Sequence, residues 1–398
     1  MIICCGEALI DMVRIPGQGD GFLPLPGGSP YNTAVAIGKL GVPVKFLGRI
    51  STDFFGDILV KYLRENRVGD DLVTRIAQNS TLGFVKLEKG KEPQYVFYTE
   101  GSADRSLSTA DLPLKLPADT RCILFGSISM TMEPIASAIE ALILREGTRK
   151  SADQMDGAPV ISFDPNIRPF MIKDKAAYTE RFEKWVAAST IAKISAGDFE
   201  FLYPKLTVEQ ALQKTLAMGP RLVICTLGAK GATALLRKND GSVIKGSAPA
   251  IPVTVNDTIG AGDTFHGAFL SWLEIKGKMS RSALAGLNET DLDAALFFAN
   301  RAASIVCARK GAKPPSRREV ESLKIAAPKA ASAGNAKTKT VKKQAPVKKA
   351  VEKKAAGKTA AKAKPPAKSK AKPTVKPKPA AKPKTTARAK TNLSSSKK

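Results

Sequence analysis

The chain has one histidine, His266, and only five cysteines (Cys4, Cys5, Cys122, Cys225 and Cys307) in 398 residues. None of the cysteines forms a C-x-x-C pair or has a histidine partner nearby in sequence, which excludes a Cys/His zinc site and a disulfide framework. Several lie in apolar runs, where Cys behaves as a small hydrophobe. No run of about 18 apolar residues exists, so no membrane-spanning helix is expected. The first residues carry no basic cluster, and Glu7 and Asp11 interrupt the apolar start, so this segment does not read as a secretory signal. A reduced cytoplasm is the expected location.

Acidic and aromatic residues are almost missing from the C-terminal end. Residues 329–398 contain 23 Lys+Arg, a single acid (Glu352) and no aromatic residue. The net charge of +27 is therefore a property of this segment, because the first 328 residues hold 40 basic and 35 acidic groups. With so little to bury, residues 326–398 are expected to be a disordered tail. Its Lys/Ala/Pro repeats resemble linker-histone-like tails. Such a tail neutralises nucleic acid or another polyanion by charge, without reading sequence. Residues 1–325 are long enough for one large domain.

Within that domain, strand-like and helix-like segments alternate. Helical spacing covers 30–40, 57–64 and 178–189, and Thr131 is expected to cap a further helix carrying Ile135, Ile139 and Leu142. Strand-like runs occur at 1–5, 44–47, 122–125, 160–163, 191–195, 221–226 and 251–255. Two more, 83–87 and 94–98, flank a turn-like stretch at 88–93 and read as a hairpin. The alternation implies an α/β fold with a mostly parallel sheet covered by helices on both faces, and the hairpin suits a small β lid. Binding sites in such folds gather at the carboxyl ends of the strands.

The most informative segment is Asp257-Thr258-Ile259-Gly260-Ala261-Gly262-Asp263, at the start of a helix with Phe265, Ala268, Phe269 and Trp272 at helical spacing. Glycines at a helix N-terminus let backbone amides converge on an anion. A carboxylate there would repel phosphate unless it served as a base for an attacking hydroxyl. Upstream loops form an ordered set with it: Gly6-Glu7-Ala8-Leu9-Ile10-Asp11, Gly27-Gly28-Ser29-Pro30-Tyr31-Asn32, Asp164-Pro165-Asn166-Ile167-Arg168, Lys193-Ile194-Ser195-Ala196-Gly197-Asp198 and Thr226-Leu227-Gly228-Ala229-Lys230-Gly231. This order resembles the PfkB-type, ribokinase-like carbohydrate kinases over residues 2 to 315.

The resemblance implies a three-layer ribokinase-like fold, with the lid drawn from segments near 12–30 and 80–105. It implies ATP as co-substrate and Mg²⁺ as cofactor. Asp263 is then the base, and Gly260, Ala261 and Gly262 form the anion hole. Asp11, Gly27, Gly28 and Asn32 bind the sugar. Arg168 faces the transferred phosphoryl group, and Asp164, Asn166 and Asp198 serve the metal directly or through water. Where the family commonly has Asn-x-x-Glu, this chain has Ser195 and Asp198, with Glu200 as a substitute two residues on. Thr226, Gly228, Gly231 and Asn300 fall on the nucleotide side, and Asp257 matches a K⁺-binding position. His266 reads as a packing or local hydrogen-bonding residue. Residues 5–12, 101–104 and 125–129 look like bacterial fructokinases, which makes D-fructose the expected sugar. The alternatives are 2-keto-3-deoxygluconate, ribose and a nucleoside-like riboside. The lid could also support a homodimer.

Overall fold

A computed structural model describes residues 1–15, 21–86, 94–147 and 157–323. The expected basic tail at 326–398 and the hairpin turn at 88–93 lie outside the described residues. The strands are β1 (Ile2–Cys5), β2 (Leu9–Arg14), β3 (Phe22–Gly27), β4 (Val44–Ser51), β5 (Val68–Ile76), β6 (Thr81–Lys86), β7 (Gln94–Tyr98), β8 (Cys122–Gly126), β9 (Val160–Asp164), β10 (Ile191–Ser195), β11 (Leu222–Thr226), β12 (Ala232–Arg237) and β13 (Val243–Ala248). The helices are α1 (Ser29–Lys39), α2 (Phe54–Glu65), α3 (Ile135–Gly147), α4 (Lys175–Ala188), α5 (Ala196–Leu202), α6 (Val208–Ala217), α7 (Ala261–Ile275), α8 (Arg281–Ala285), α9 (Glu289–Cys307) and α10 (Arg317–Ser322).

Nine strands form the central sheet in the order β13-β12-β11-β10-β9-β8-β1-β4-β5. Every pairing from β5 to β11 is parallel, and β12 and β13 extend the sheet antiparallel. Side chains alternate between the two faces of the sheet, as strand geometry requires. Ile2, Cys4, Leu124, Leu222 and Ile224 join one core with α1, α2, α7 and α9. Ile3, Cys5, Phe125, Val223 and Cys225 join the other with α3, α4 and α6. The fold is thus the expected three-layer arrangement. The cysteines in β1, β8 and β11 are buried thiols that pack as hydrophobes.

A second, four-stranded sheet, β3-β2-β6-β7, forms the lid. Its first two strands come from the segment after β1, and its last two are the hairpin legs expected from sequence.

Two local expectations differ from the structure. Residues 251–255 join no ladder. Pro249 and Pro252 have no amide to donate, and the segment follows the edge strand β13. Thr131 does not cap α3: it ends a 3-10 turn at Ser127–Thr131, its hydroxyl donates to the Ile128 carbonyl at 2.7 Å, and the helix begins only at Ile135.

The stability of the fold rests on the packed aromatic cluster beneath β9. Phe182 is fully buried, with its ring 5.9 Å from Phe163 and 6.4 Å from Tyr203. Phe182→Ala is expected to lower the unfolding free energy by about 3–5 kcal/mol, read from urea denaturation. Leu114→Ala, at a 94% exposed position, should change it by less than about 0.5 kcal/mol.

Candidate active site

The helix α7 begins at Gly260, whose φ of 74° lies in the left-handed region that glycine tolerates. A Cβ there would also meet the Cβ of Ala312 at 2.6 Å. No side chain caps this N-terminus; the Ala261 amide donates to the Thr258 carbonyl at 3.2 Å, and the flanking glycine amides are the ones left to face an anion. Asp263 lies in that same turn and is buried. Its Oδ1 accepts from Ser29 Oγ at 2.7 Å and from Asn166 Nδ2 at 3.4 Å, and its Oδ2 accepts from Asn32 Nδ2 at 3.0 Å. Burial raises its pKa and the nearby Asp164 adds to that, while the Ser29 and Asn32 hydrogen bonds oppose it. The result is a carboxylate readier to take a proton than an exposed one.

Lys193, in β10, sits beneath the glycine loop. A Cβ on Gly262 would lie 3.3 Å from its Nζ. Its Nζ pairs with Asp164 Oδ2 at 2.8 Å, and both side chains are about 4% exposed. Burial alone would raise the Asp164 pKa, but the Lys193 ammonium and His266 overcome it and bring the carboxyl down to about 2. Lys193 correspondingly stays charged despite its burial. His266 is fully buried and kept neutral by desolvation. It bonds to Ser162 Oγ at 2.7 Å and places Nδ1 3.6 Å from Asp164, so it packs behind the ion pair.

The two acidic Mg²⁺ candidates are both engaged. Asp164 Oδ1 accepts the Asn166 amide at 3.1 Å across a turn in which Asn166 has φ 36°. Asp198 forms a capping box with Ser195 at the start of α5, and its Oδ1 accepts from the Ile167 amide at 2.9 Å. Glu200 is exposed, so Asp198 is the acid on the site side of α5. Among the described residues no group of three His, Cys, Asp or Glu could hold a metal ion. Among the described residues, the cations that act on Asp11, Asp164, Asp198 and Asp263 are Lys193 and Arg168. These residues fit a hydrated divalent ion carried in on phosphate, not an all-protein cage.

Asp11, in the lid strand β2, accepts no hydrogen bond from a described residue and is free to receive hydroxyls. Its carboxylate lies between Gly27 and Gly83 on the flanking strands, where any Cβ would crowd it. Burial and the facing Asp263 raise its pKa to about 7, against the pull of Arg168. Gly28 has φ 105°, and a Cβ there would meet the Glu7 carbonyl at 2.6 Å. Arg168 folds back on its own loop, with Nη1 2.7 Å from Asn166 Oδ1.

Thr226, Gly228 and Gly231 form the turn from β11 to β12, with φ of 57° at Gly228 and 94° at Gly231. Asn300 is buried on α9, and its amide donates to the carbonyls of Ala248 and Pro249, both at 3.0 Å, so it ties the helix to the end of β13. Asp257 accepts the amides of Ile259 at 3.0 Å and Gly311 at 2.9 Å, joining the loops before α7 and after α9. Lys193, Ser29 and Glu7 have no role that the sequence motifs assign. For Lys193 the signal was a charge inside an otherwise apolar strand.

A profile of pfkB family carbohydrate kinases matches residues 1–318. The chain is 38% identical over 294 residues to the fructokinase of Rhizobium leguminosarum bv. trifolii, covering 73% of this chain and 85% of that protein. Its structure is similar to that of the Xylella fastidiosa fructokinase with bound ATP (TM-score 0.71, 28% identity, 81% of this chain and 97% of that one). It is also similar to the Vibrio cholerae O395 fructokinase in fructose-, ADP- and calcium-bound form (TM-score 0.68, 25% identity, 80% and 97% covered). Among the described residues no helix is long and apolar enough to cross a membrane.

The Asp11 carboxyl gives a signed pH effect. Its folded pKa of about 7 lies above the ordinary 3.8, so the folded protein binds a proton that the unfolded chain does not. This contribution raises stability as pH falls from about 7 towards 4 and is absent at pH 8. Asp11→Asn should therefore stabilise the ligand-free protein by about 1–2 kcal/mol at pH 8 and by much less at pH 5, read from thermal unfolding.

Proposed function

We propose, from the premise that this chain belongs to the pfkB family of carbohydrate kinases, that it transfers the γ-phosphoryl group of ATP to D-fructose, giving fructose 6-phosphate. One observation carries the reading. A buried carboxylate, Asp263, sits in the uncapped first turn of α7 with both oxygens held, opposite the open carboxylate of Asp11. Fructose is favoured over ribose, 2-keto-3-deoxygluconate or a nucleoside-like riboside because the relatives named above are fructokinases, the nearest in sequence of them at 38% identity.

In this reading Asp11, Asn32 and the backbone of Gly27 and Gly28 hold the sugar hydroxyls. The 6-hydroxyl loses its proton to Asp263 as its oxygen bonds to the γ-phosphorus and the bond to ADP breaks. The loop of Gly260, Ala261 and Gly262 offers its glycine amides to the phosphoryl oxygens, with the Lys193 charge behind them. Positioning and charge outweigh deprotonation, because phosphoryl transfer has a loose transition state. Arg168 turns from its own loop towards the phosphoryl group. Mg²⁺ arriving with ATP would be met through water by Asp164, Asn166 and Asp198, and it neutralises phosphate charge. Thr226, Gly228 and Gly231 lie on the nucleotide side with Asn300 behind them, and Asp257 is the candidate for K⁺. The outer face of the lid exposes Phe22, Val96 and Tyr98 and is the surface on which a homodimer would pack.

ADP release measured across these sugars should give fructose the highest kcat/KM, and a faster ribose or ketodeoxygluconate reaction would overturn the choice. Asp263→Asn should lower kcat by about a thousandfold, and a residual rate above about a tenth of wild type would rule out its role as base.

A second reading concerns residues 329–398, whose 23 basic groups and single acid suit a polyanion. We infer non-specific, salt-sensitive nucleic-acid binding through this segment. The full chain should retard duplex DNA in gels at low salt and lose the shift at moderate salt, and a 1–325 truncation should not bind. Failure of the full chain to shift DNA at low salt removes the idea.

A further inference from the structure

Glu7 is 1% exposed, yet no cation pairs with it among the described residues. Its surroundings consist of donors. Oε1 accepts the Ser29 amide at 2.9 Å. Oε2 accepts the Ser129 amide at 3.3 Å and the Ser129 hydroxyl in a short contact. The Glu7 amide in turn donates to Ser129 Oγ at 2.8 Å. A buried carboxylate without an ion pair is costly unless the fold uses it.

Its place in the fold indicates the use. The N-cap of α1 is Gly28, which has no side chain to cap the helix. The capping acceptor comes instead from Glu7, in the loop after β1, and that residue is locked to the turn after β8 by Ser129. An acid at a helix N-terminus is favourable, but a local Ser or Asp at the N-cap would serve stability equally well. A cap delivered from two neighbouring strand ends also fixes where the first turn of α1 sits relative to the central sheet. That turn holds the base: Ser29, whose amide meets Glu7, turns its hydroxyl onto Asp263 Oδ1 at 2.7 Å. The motifs at residues 5–12 and 125–129, read from sequence only as marks of the sugar, thus converge on one contact.

We propose that Glu7 is a positioning residue for phosphoryl transfer, which, braced by Ser129, sets the first turn of α1 and through Ser29 the orientation of the Asp263 carboxylate. The inference rests on the kinase reading above. It requires Glu7 and Ser29 to act as one unit, and it predicts a loss in kcat that leaves ATP binding untouched.

The test is a double-mutant cycle on the full chain, with ADP release from fructose and thermal unfolding measured for each protein. Glu7→Gln keeps the side chain's size but sets an NH₂ against one of the backbone donors. It should lower kcat by about tenfold, with KM for ATP within about twofold of wild type. Ser29→Ala should give a loss of the same order. The double variant should be no slower than about the worse single variant, because both changes break the same link. Losses that multiply, or a Glu7→Gln protein that melts lower yet keeps its kcat within about twofold, would overturn the proposal in favour of a purely structural cap. If Glu7→Gln does not fold, Ser129→Ala takes its place in the same cycle with the same outcomes. A wild type inactive on every sugar defeats the kinase reading and this inference together. An active wild type with multiplying losses defeats the inference alone.

Discussion

The site depends on how closely α1 lies on α7. At their contact Gly267 faces α1 without a side chain. A Cβ there would meet the Thr33 carbonyl at 3.0 Å, Ala36 Cβ at 3.1 Å and Ile37 at 3.3 Å. Any larger residue would push the helices apart by a few tenths of an ångström in a core that does not yield easily. The approach brings both N-terminal turns to one point. There the Ser29 hydroxyl and Asn32 amide reach opposite oxygens of Asp263, and the carboxylate is buried with its hydrogen bonds made. The chemistry of the site is thus a consequence of helix packing one turn deeper.

That burial sets the electrostatics. Acids outnumber cations around the loop: burial and Asp263 raise the proton affinity of Asp11, and burial and Asp164 raise that of Asp263. The buried Asp164–Lys193 pair gains little net stability over an apolar pair of similar volume. Its value lies in holding a fixed positive charge under the glycine loop, in a pocket otherwise dominated by carboxylates. The same imbalance explains why the nucleotide should bring its own divalent ion. A trianionic phosphate end entering this pocket bare would be repelled, whereas a metal-bound one supplies the missing charge.

The layers, the lid and the ordered loops were legible in sequence because they rest on local rules: strand period, helix period and glycine where the backbone must come close. The positions of Asn32, Asp164, Asp198 and Asp263 at strand ends and helix starts, and of Asp11 within the lid strand β2, follow from those rules. What escaped depends on contacts far apart in the chain. Lys193 reads locally as a polar break in an apolar strand, and only its partner 29 residues away makes it a buried ion pair. Ser29 beside Asp263 and Glu7 beside Ser129 span 234 and 122 residues, beyond any periodicity. Thr131 failed as a cap because a hydroxyl can equally serve the turn behind it. The run at 251–255 had strand residues but also Pro252, and it pairs with no strand.

The site draws its residues from two kinds of scaffold, and this divides the chemistry. Asp263, Lys193, Asp164 and Asn32 stand on elements of the rigid three-layer core, where phosphoryl transfer needs sub-ångström placement. Asp11 stands on the lid, a sheet with one face to the site and the other carrying exposed aromatics. A lid built as a separate sheet can change its sequence without disturbing the packing of the core. Asp11 joins the two parts, since its proton affinity depends on Asp263 across the pocket. A sugar that satisfies Asp11 with its hydroxyls removes part of the cost of holding two carboxylates face to face. In the proposed reaction the substrate would therefore relieve a repulsion between the two carboxylates, which would couple binding at the lid to the protonation of Asp263.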